Sequence, residues 1–335
     1  VTDTVRAFAP GRVNLIGDHT DYTGGLACPM AVDLGTTVTY TPGGDTIRLA
    51  SDRDPAPAVV PLRGAPPPAE TEPVWARYVA AVAALVAPPV GGTGTVTSTL
   101  PVGAGLSSSA SLELAVALAL GFAGSPVELA TLGQRAEHAA TGTPTGLLDQ
   151  LSSALGREGH ALVIDFTSLD VTYVPLPPGV EVVVVDSEQP RVLAGTAYAE
   201  RRAQCEAAAA LVGPLASASL SDVEALTDDV LRRRARHVVT ENARVRAFAA
   251  ALRTGDVALA GRLMGESHAS LAADFEVTTP ALDALVAELG ATPGVHGVRM
   301  TGGGFGGCVV ALAEPGALRT GWRVRAVAGA ALLGG

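Results

Sequence analysis

The 335-residue chain contains no lysine. A Walker A phosphate loop, the strand lysine of a protein kinase, and Schiff-base or Ser-Lys catalysis all need that amine, so none is available. Cysteine is scarce. Cys28, Cys205 and Cys308 are odd in number and lack metal-ligand spacing, which argues against a disulfide framework or a zinc site and fits a reduced, cytoplasmic protein. The apolar runs near 112–123 and 180–185 are too short to cross a bilayer, and no charged start followed by an apolar stretch and a cleavage site is found, so no membrane partner is expected. A net charge of -10 argues against a nucleic-acid partner, which would show as clustered basic residues. The one basic cluster, Arg232, Arg233, Arg234 and Arg236, lies in a helical pattern and reads as a solvated helix face.

What is present points to two closely joined domains with sizeable cores, since 48% of this long chain is hydrophobic. Short β-type runs at Val5 to Ala9 and Thr36 to Thr41 flank a polar loop from Gly11 to Gly25. Helical patterns cover Val74 to Ala87, Ser107 to Phe122, 126–141 and 145–155, followed by strand-like runs at Ala161 to Phe166, Val171 to Leu176 and Val180 to Asp186. Residues 191–290 are mostly helical in pattern, broken at Gly213, Gly255 and Pro280. The chain then runs through Val295 to Thr301, a glycine loop, Cys308 to Ala313 and an expected terminal helix. The change in composition near residue 176 divides the chain into 1–176 and 177–335, packed about a shared cleft.

Three segments carry chemistry. LPVGAGLSSSA at 100–110 is a glycine-turned loop entering a buried helix. Its glycines admit close approach of a polyanion, and the serine hydroxyls and free N–H groups of the helix start are donors aligned with the helix dipole. The segment Gly11 to Gly25 holds Arg12, Asp18, His19 and Asp21, a density of charge suited to gripping vicinal hydroxyls. Glu137 and Asp149 follow. A kinase needs one carboxylate with a serine hydroxyl for Mg²⁺ and another beside the acceptor hydroxyl, although either residue alone also reads as a surface group or a helix cap. Gly302 to Gly307 fits G-x-G-x-x-G, but the β-type run after it makes a tight turn the better reading than a dinucleotide fingerprint, a plain hairpin first and a turn abutting a ligand or the phosphate loop second.

GRVNLIGDHTDYTGG, PVGAGLSSSAS and TGGGFGGCVVAL, in that order, resemble the three motifs of the GHMP kinases, and within that superfamily the galactokinases. The resemblance spans nearly the whole chain. It implies an α+β fold of two domains, an N-terminal ribosomal protein S5 domain 2-like domain and a C-terminal α+β domain, with ATP and a sugar meeting in the cleft. It implies phosphorylation of the C1 hydroxyl of a free aldose, galactose first, with Asp149 as the catalytic carboxylate and Arg12 stabilising its anionic form and the transferring charge. Ser109 and Glu137 would ligate Mg²⁺. Gly103, Ala104, Gly105, Leu106, Ser107, Ser108 and Ser109 would wrap the phosphates, and Trp75 and Tyr78 would border adenine. Asp18, His19, Asp21, Gly146 and Tyr198 would hold the sugar. The family usually has Glu where Asp18 stands, at a position contacting the sugar's C6 hydroxyl. The shorter side chain either weakens that contact by about 1–3 kcal/mol or leaves room for a longer C6 substituent, so a heptose or octose is the alternative substrate. A sugar sensor without turnover is a third reading.

Overall fold

A computed structural model describes residues 3–101, 103–189 and 194–334, the side chains of 194–196 excepted. Val102 of the glycine loop and the opening of the helical stretch at 191–193 lie outside these residues. In chain order the elements are β1 (Val5–Asn14), β2 (Leu26–Ala27), β3 (Pro29–Pro42), β4 (Thr46–Ser51), β5 (Ala58–Pro61), α1 (Ala76–Leu85), β6 (Gly92–Ser98), α2 (Ser108–Ala119), α3 (Pro126–Thr141) and α4 (Leu148–Leu155). Then come β7 (His160–Asp165), β8 (Val171–Pro175), β9 (Glu181–Asp186), α5 (Ala194–Val212), α6 (Leu220–Glu224), α7 (Asp229–Thr254), α8 (Val257–Ser270), α9 (Pro280–Gly290), β10 (Val295–Thr301), β11 (Cys308–Ala313), β12 (Trp322–Val324) and β13 (Ala331–Leu333).

Helix limits follow local chemistry. Ser125 and Glu128 form a reciprocal capping box with Pro126 in the first turn of α3, and Gly142 closes that helix in the left-handed region. Asp228 caps α7 and left-handed Gly255 ends it, while Thr279 caps α9 just before Pro280. Between α8 and α9 the turn Leu271–Phe275 is a π-helix.

The first sheet has the order β13-β1-β3-β6-β4-β5 and is covered by α1 to α4, whose alanine- and leucine-rich faces share one core with Val38, Tyr40, Ile47 and Leu49. A second sheet, β10-β11-β9-β12, carries α8 and α9 on β10, and α7 packs between α5 and α8. A small sheet, β2-β7-β8, completes the fold. The boundary expected at 176 falls between β8 and β9, which belong to different sheets. The halves are welded by an apolar core in which Val13, Leu15 and Ile16 of the first meet Val245, Phe248 and Val310 of the second. Among the described residues no helix is long and apolar enough to cross a membrane.

Three expectations need correction. The end of the chain is not a helix: β12 pairs with β9, and β13 returns to pair with Arg6 to Phe8 of β1. Gly321 and Gly329, both pressed against backbone, interrupt the apolar pattern there before a helix can form. The loop expected from Gly11 begins later, because β1 continues to Asn14 with a register irregularity between Pro10 and Arg12. The arginine cluster is not a simple solvated face. Arg234 is 2% exposed and bonds Gln204, the Asp274 carbonyl and Glu276, tying α7 to α5 and the π-turn, while Arg236 pairs with Glu224 and Asp274.

Candidate active site

The irregularity in β1 re-aims Arg12 toward the start of α2, as a bulge does. Its backbone N–H donates to the Leu106 carbonyl at 3.1 Å and its guanidinium to the Gly105 carbonyl at 2.6 Å, so the glycine loop is pinned to the strand. Gly103 (φ 78°) and Gly105 (φ 67°) take the left-handed turns that aim the loop into the helix. Ser107 (φ 61°) follows as the N-cap of α2, but its hydroxyl makes no cap bond and reaches Asp149 Oδ2 at 2.5 Å instead. The N–H groups at this helix start therefore keep no side-chain cap from Ser107 and remain suited to an anion. Asp149 sits in the first turn of α4 behind the N-cap Leu147, so its carboxylate is not a cap either. Arg12 holds its other oxygen, Nη2 at 2.6 Å and Nε at 2.7 Å from Oδ1.

Two cavities lie here, linked by the hydrogen bond from Ser109 of one to Glu137 of the other. One, of ≈ 300 Å³, is lined by Trp75, Tyr78, Gly103, Ser108, Ser109 and the segment Ser51 to Asp54. The other, of ≈ 160 Å³, gathers Arg12, Asp18, His19, Asp21, Glu137, Gly146, Asp149, Tyr198, Gly302 and Gly303 from both halves of the chain. A larger depression of ≈ 840 Å³ lies elsewhere, but its charged side chains include the ion pairs Asp33–Arg325 and Glu181–Arg323, already satisfied by one another.

The second cavity is polar, and its side chains bond to one another and to nearby backbone. His19 takes a left-handed backbone (φ 63°), its Nδ1 lies 2.9 Å from the Tyr22 hydroxyl and Nε2 lies 3.2 Å from the Gly303 carbonyl, and its ring packs on Phe275 and Tyr198. Burial, reinforced by nearby His237, pushes its pKa down to about 3, so the ring is neutral. Asp21 is raised to about 6 by burial and then by the Asp149 charge. Gly146 leaves room for it: a Cβ there would stand 1.6 Å from Asp21 Oδ2, so any larger residue would have to displace that carboxylate. Tyr198 lines the same cavity beside Gly146. Asp18 is turned inward, 2% exposed, accepting from the Gly302 N–H at 3.0 Å and ion-paired with Arg299, which is wholly buried.

Between the cavities Ser109 Oγ donates to Glu137 Oε1 at 2.8 Å. Behind it, Glu137 Oε2 accepts from the Gln150 amide at 2.8 Å and from the Thr145 hydroxyl at 3.2 Å, and the same amide reaches Glu113 at 3.3 Å. Burial holds the Glu113 carboxyl well above the usual range. No group of three or more His, Cys, Asp or Glu able to hold a metal occurs among the described residues. A hydroxyl with one carboxylate is nonetheless a hard-oxygen set that suits Mg²⁺, which typically takes one or two carboxylates and leaves other positions to phosphates and water.

The residues singled out from the sequence thus fall into two adjoining groups. Asp18, His19, Asp21, Gly146 and Tyr198 share a cavity with Arg12 and Asp149, while Trp75 and Tyr78 face Ser108 and Ser109 in the other. Ala104 and Leu106 point into the core rather than into either cavity, so only their backbone is offered. Ser107 bonds Asp149 rather than standing free. The glycines at 302–307 form the β10–β11 turn, as expected, and supply Gly302 and Gly303 to the cavity. Sequence reasoning missed Arg299, Glu113, Gln150 and the wall at Asp52 to Asp54. Two carried a signal: Glu113 interrupts an otherwise apolar buried helix, and Arg299 interrupts a buried strand.

Comparison with known proteins adds the context. The galactokinase galactose-binding signature matches residues 2–42, the GHMP kinases N terminal domain 77–157, and GHMP kinases C terminal 248–322. Human galactokinase (Homo sapiens) is 45% identical over 324 residues, covering 91% of this chain and 83% of its own. The galactokinase of Mycobacterium tuberculosis is 45% identical over 328 residues, 92% of this chain and 89% of its own. The crystal structure of Lactococcus lactis galactokinase complexed with galactose superposes with a TM-score of 0.92 at 30% identity, over 99% of this chain and 95% of that one. Methanococcus jannaschii mevalonate kinase, at 19% identity and a TM-score of 0.67 over 98% and 99% of the two chains, shares the fold.

Proposed function

We propose, from the premise that this chain belongs to the galactokinase family of the GHMP kinases, that it transfers the γ-phosphoryl group of ATP to the C1 hydroxyl of galactose. The observation that carries the mechanism is Asp149 in the wall of the cavity fit for a sugar, one carboxylate oxygen held by Arg12 and the other by Ser107, the N-cap of the helix whose Ser108 and Ser109 line the cavity fit for a nucleotide.

The glycine loop and the start of α2 bind the phosphates through backbone N–H groups and the Ser108 and Ser109 hydroxyls, and Trp75 and Tyr78 flank the base. Asp21, held against Gly146, accepts hydrogen bonds from sugar hydroxyls, and Tyr198 and the neutral His19 ring wall the same pocket. Asp149 orients the C1 hydroxyl and takes its proton as the oxygen attacks in line. Arg12 ion-pairs with the carboxylate, fixing its direction, and faces the charge that spreads over the transferring group. Ser109 and Glu137 would hold Mg²⁺, which when bound supplies neutralisation of the phosphate charge.

A coupled ADP-release assay over aldoses of different length tests the reading. Galactose is expected to give the highest kcat/KM. A heptose or octose in first place would transfer the substrate assignment to the C6-extended alternative, and nucleotide and sugar binding without ADP release would make the protein a sensor.

A further inference from the structure

Glu137 faces Ser109 with one oxygen, Oε1, and its other oxygen is turned toward the helices behind it. Glu137 Oε2 receives two donors, the Gln150 side-chain amide at 2.8 Å and the Thr145 hydroxyl at 3.2 Å. A carboxylate oxygen has about two acceptor sites, so that oxygen is filled. Among the described residues Oε1 receives Ser109 alone and keeps a lone pair. Gln150 is wholly buried and its amide nitrogen also reaches Glu113 Oε2 on α2, at 3.3 Å. The helix carrying Glu137 comes close at this level because residue 133 is glycine: a Cβ there would lie 2.9 Å from Leu114 and 3.1 Å from Gln150 Cγ. Three helices thus converge on a single amide.

We propose that Gln150, braced by Glu113 and assisted by Thr145, is a positioning residue that occupies the rear oxygen of Glu137 and so restricts this carboxylate to one-oxygen ligation of the divalent cation. The inference rests on the reading of Glu137 and Ser109 as the cation pair. Its chemical consequence is cation choice. Small, octahedral Mg²⁺ accepts single-oxygen carboxylate ligands, whereas larger Ca²⁺ gains from two-oxygen ones, so a locked rear oxygen favours Mg²⁺.

The test measures Mn²⁺ binding, by electron paramagnetic resonance, to the full chain saturated with a non-hydrolysable ATP analogue, alongside Mg²⁺ and Ca²⁺ competition and galactose affinity. Gln150→Leu should weaken Mn²⁺ binding about tenfold or more, as loss of a group supporting a metal ligand does. It should also narrow the preference for Mg²⁺ over Ca²⁺, with galactose affinity unchanged. Thr145→Val, on a partly exposed loop, should weaken Mn²⁺ binding less, about threefold. A folded Gln150→Leu protein with lowered Tm but parental Mn²⁺ affinity makes Gln150 a purely structural tie and overturns the proposal. Should that variant not fold, Thr145→Val decides, parental Mn²⁺ affinity again overturning it. Glu137→Gln separates the two levels: if it leaves Mn²⁺ affinity intact, the ligand assignment itself fails. If it abolishes binding while the folded Gln150 and Thr145 variants keep the parental affinity, only the positioning role fails.

Discussion

The two cavities are built by opposite means. The nucleotide side comes from one half of the chain, between residues 36 and 112, and offers turned backbone, serine hydroxyls and two aromatic rings beside a charged edge at Asp52 to Asp54. The sugar side draws on residues from Arg12 to Gly303 and offers charged and aromatic side chains already engaged with one another. Asp18 is held by Arg299 and Gly302, His19 by Tyr22 and Gly303, and Asp149 by Arg12 and Ser107. A backbone cradle tolerates side-chain change, because its donors are independent of sequence. A network of buried charges does not, because removing one member leaves its partner unpaired in a low-dielectric wall. Mutations should therefore act sharply on the sugar side and mildly on the nucleotide side.

The largest effect belongs to Asp149. Asp149→Asn should lower kcat by about 10² to 10⁴ while affinity for an ATP analogue persists, checked by coupled assay and nucleotide titration. Retained turnover would remove Asp149 from the mechanism. Gly146→Ala comes next: the new methyl meets Asp21 Oδ2 at 1.6 Å, and overpacking of about 1–3 kcal/mol should cut kcat/KM for galactose roughly 10- to 100-fold with the KM for ATP unmoved. An equal loss on both substrates would erase the contrast between the cavities.

The pH profile should sharpen it further. Asp21 is raised to about 6, first by burial and then by Asp149. An acid so shifted is anionic, and able to accept from hydroxyls, only above that pH, so kcat/KM for galactose should fall as pH drops, by about tenfold at pH 5. ATP affinity, read over the same range with galactose absent, should show no matching limb. In Asp21→Asn the limb should vanish into a low, flat profile. Trp75→Ala is expected to be the mildest change. Loss of base stacking worth ~1 kcal/mol should raise the KM for ATP about fivefold and leave galactose untouched; a larger effect on the sugar than on ATP would contradict the division.

The same contrast separates what could be read in advance from what could not. The phosphate loop was legible because its logic is local: Gly103, Gly105 and Ser107 to Ser109 are consecutive, and a glycine-turned helix start means the same thing wherever it packs. Arg12, Asp18, His19 and Asp21 were legible as a dense polar segment, but their partners were not. Arg299 lies 281 residues beyond Asp18, and only the pairing of β10 with β11 beside the first half brings it there. The terminal strand was misread as a helix for a related reason, since β13 is extended by its neighbour β1 rather than by any preference of Ala331 to Leu333. The buried Arg234 was misread as solvated because the turn that covers it comes 40 residues later.

By itself, then, the sequence determined the helix breaks at Gly213, Gly255 and Pro280, the phosphate loop, the order of the three motifs and the absence of any lysine chemistry, all matters of neighbouring residues and backbone geometry. Tertiary structure decided that Asp18 faces Arg299, that Ser107 serves Asp149, and that Gln150 sits between two carboxylates. Those pairings depend on which buried charges share a desolvated space, and that is settled only when distant elements pack together.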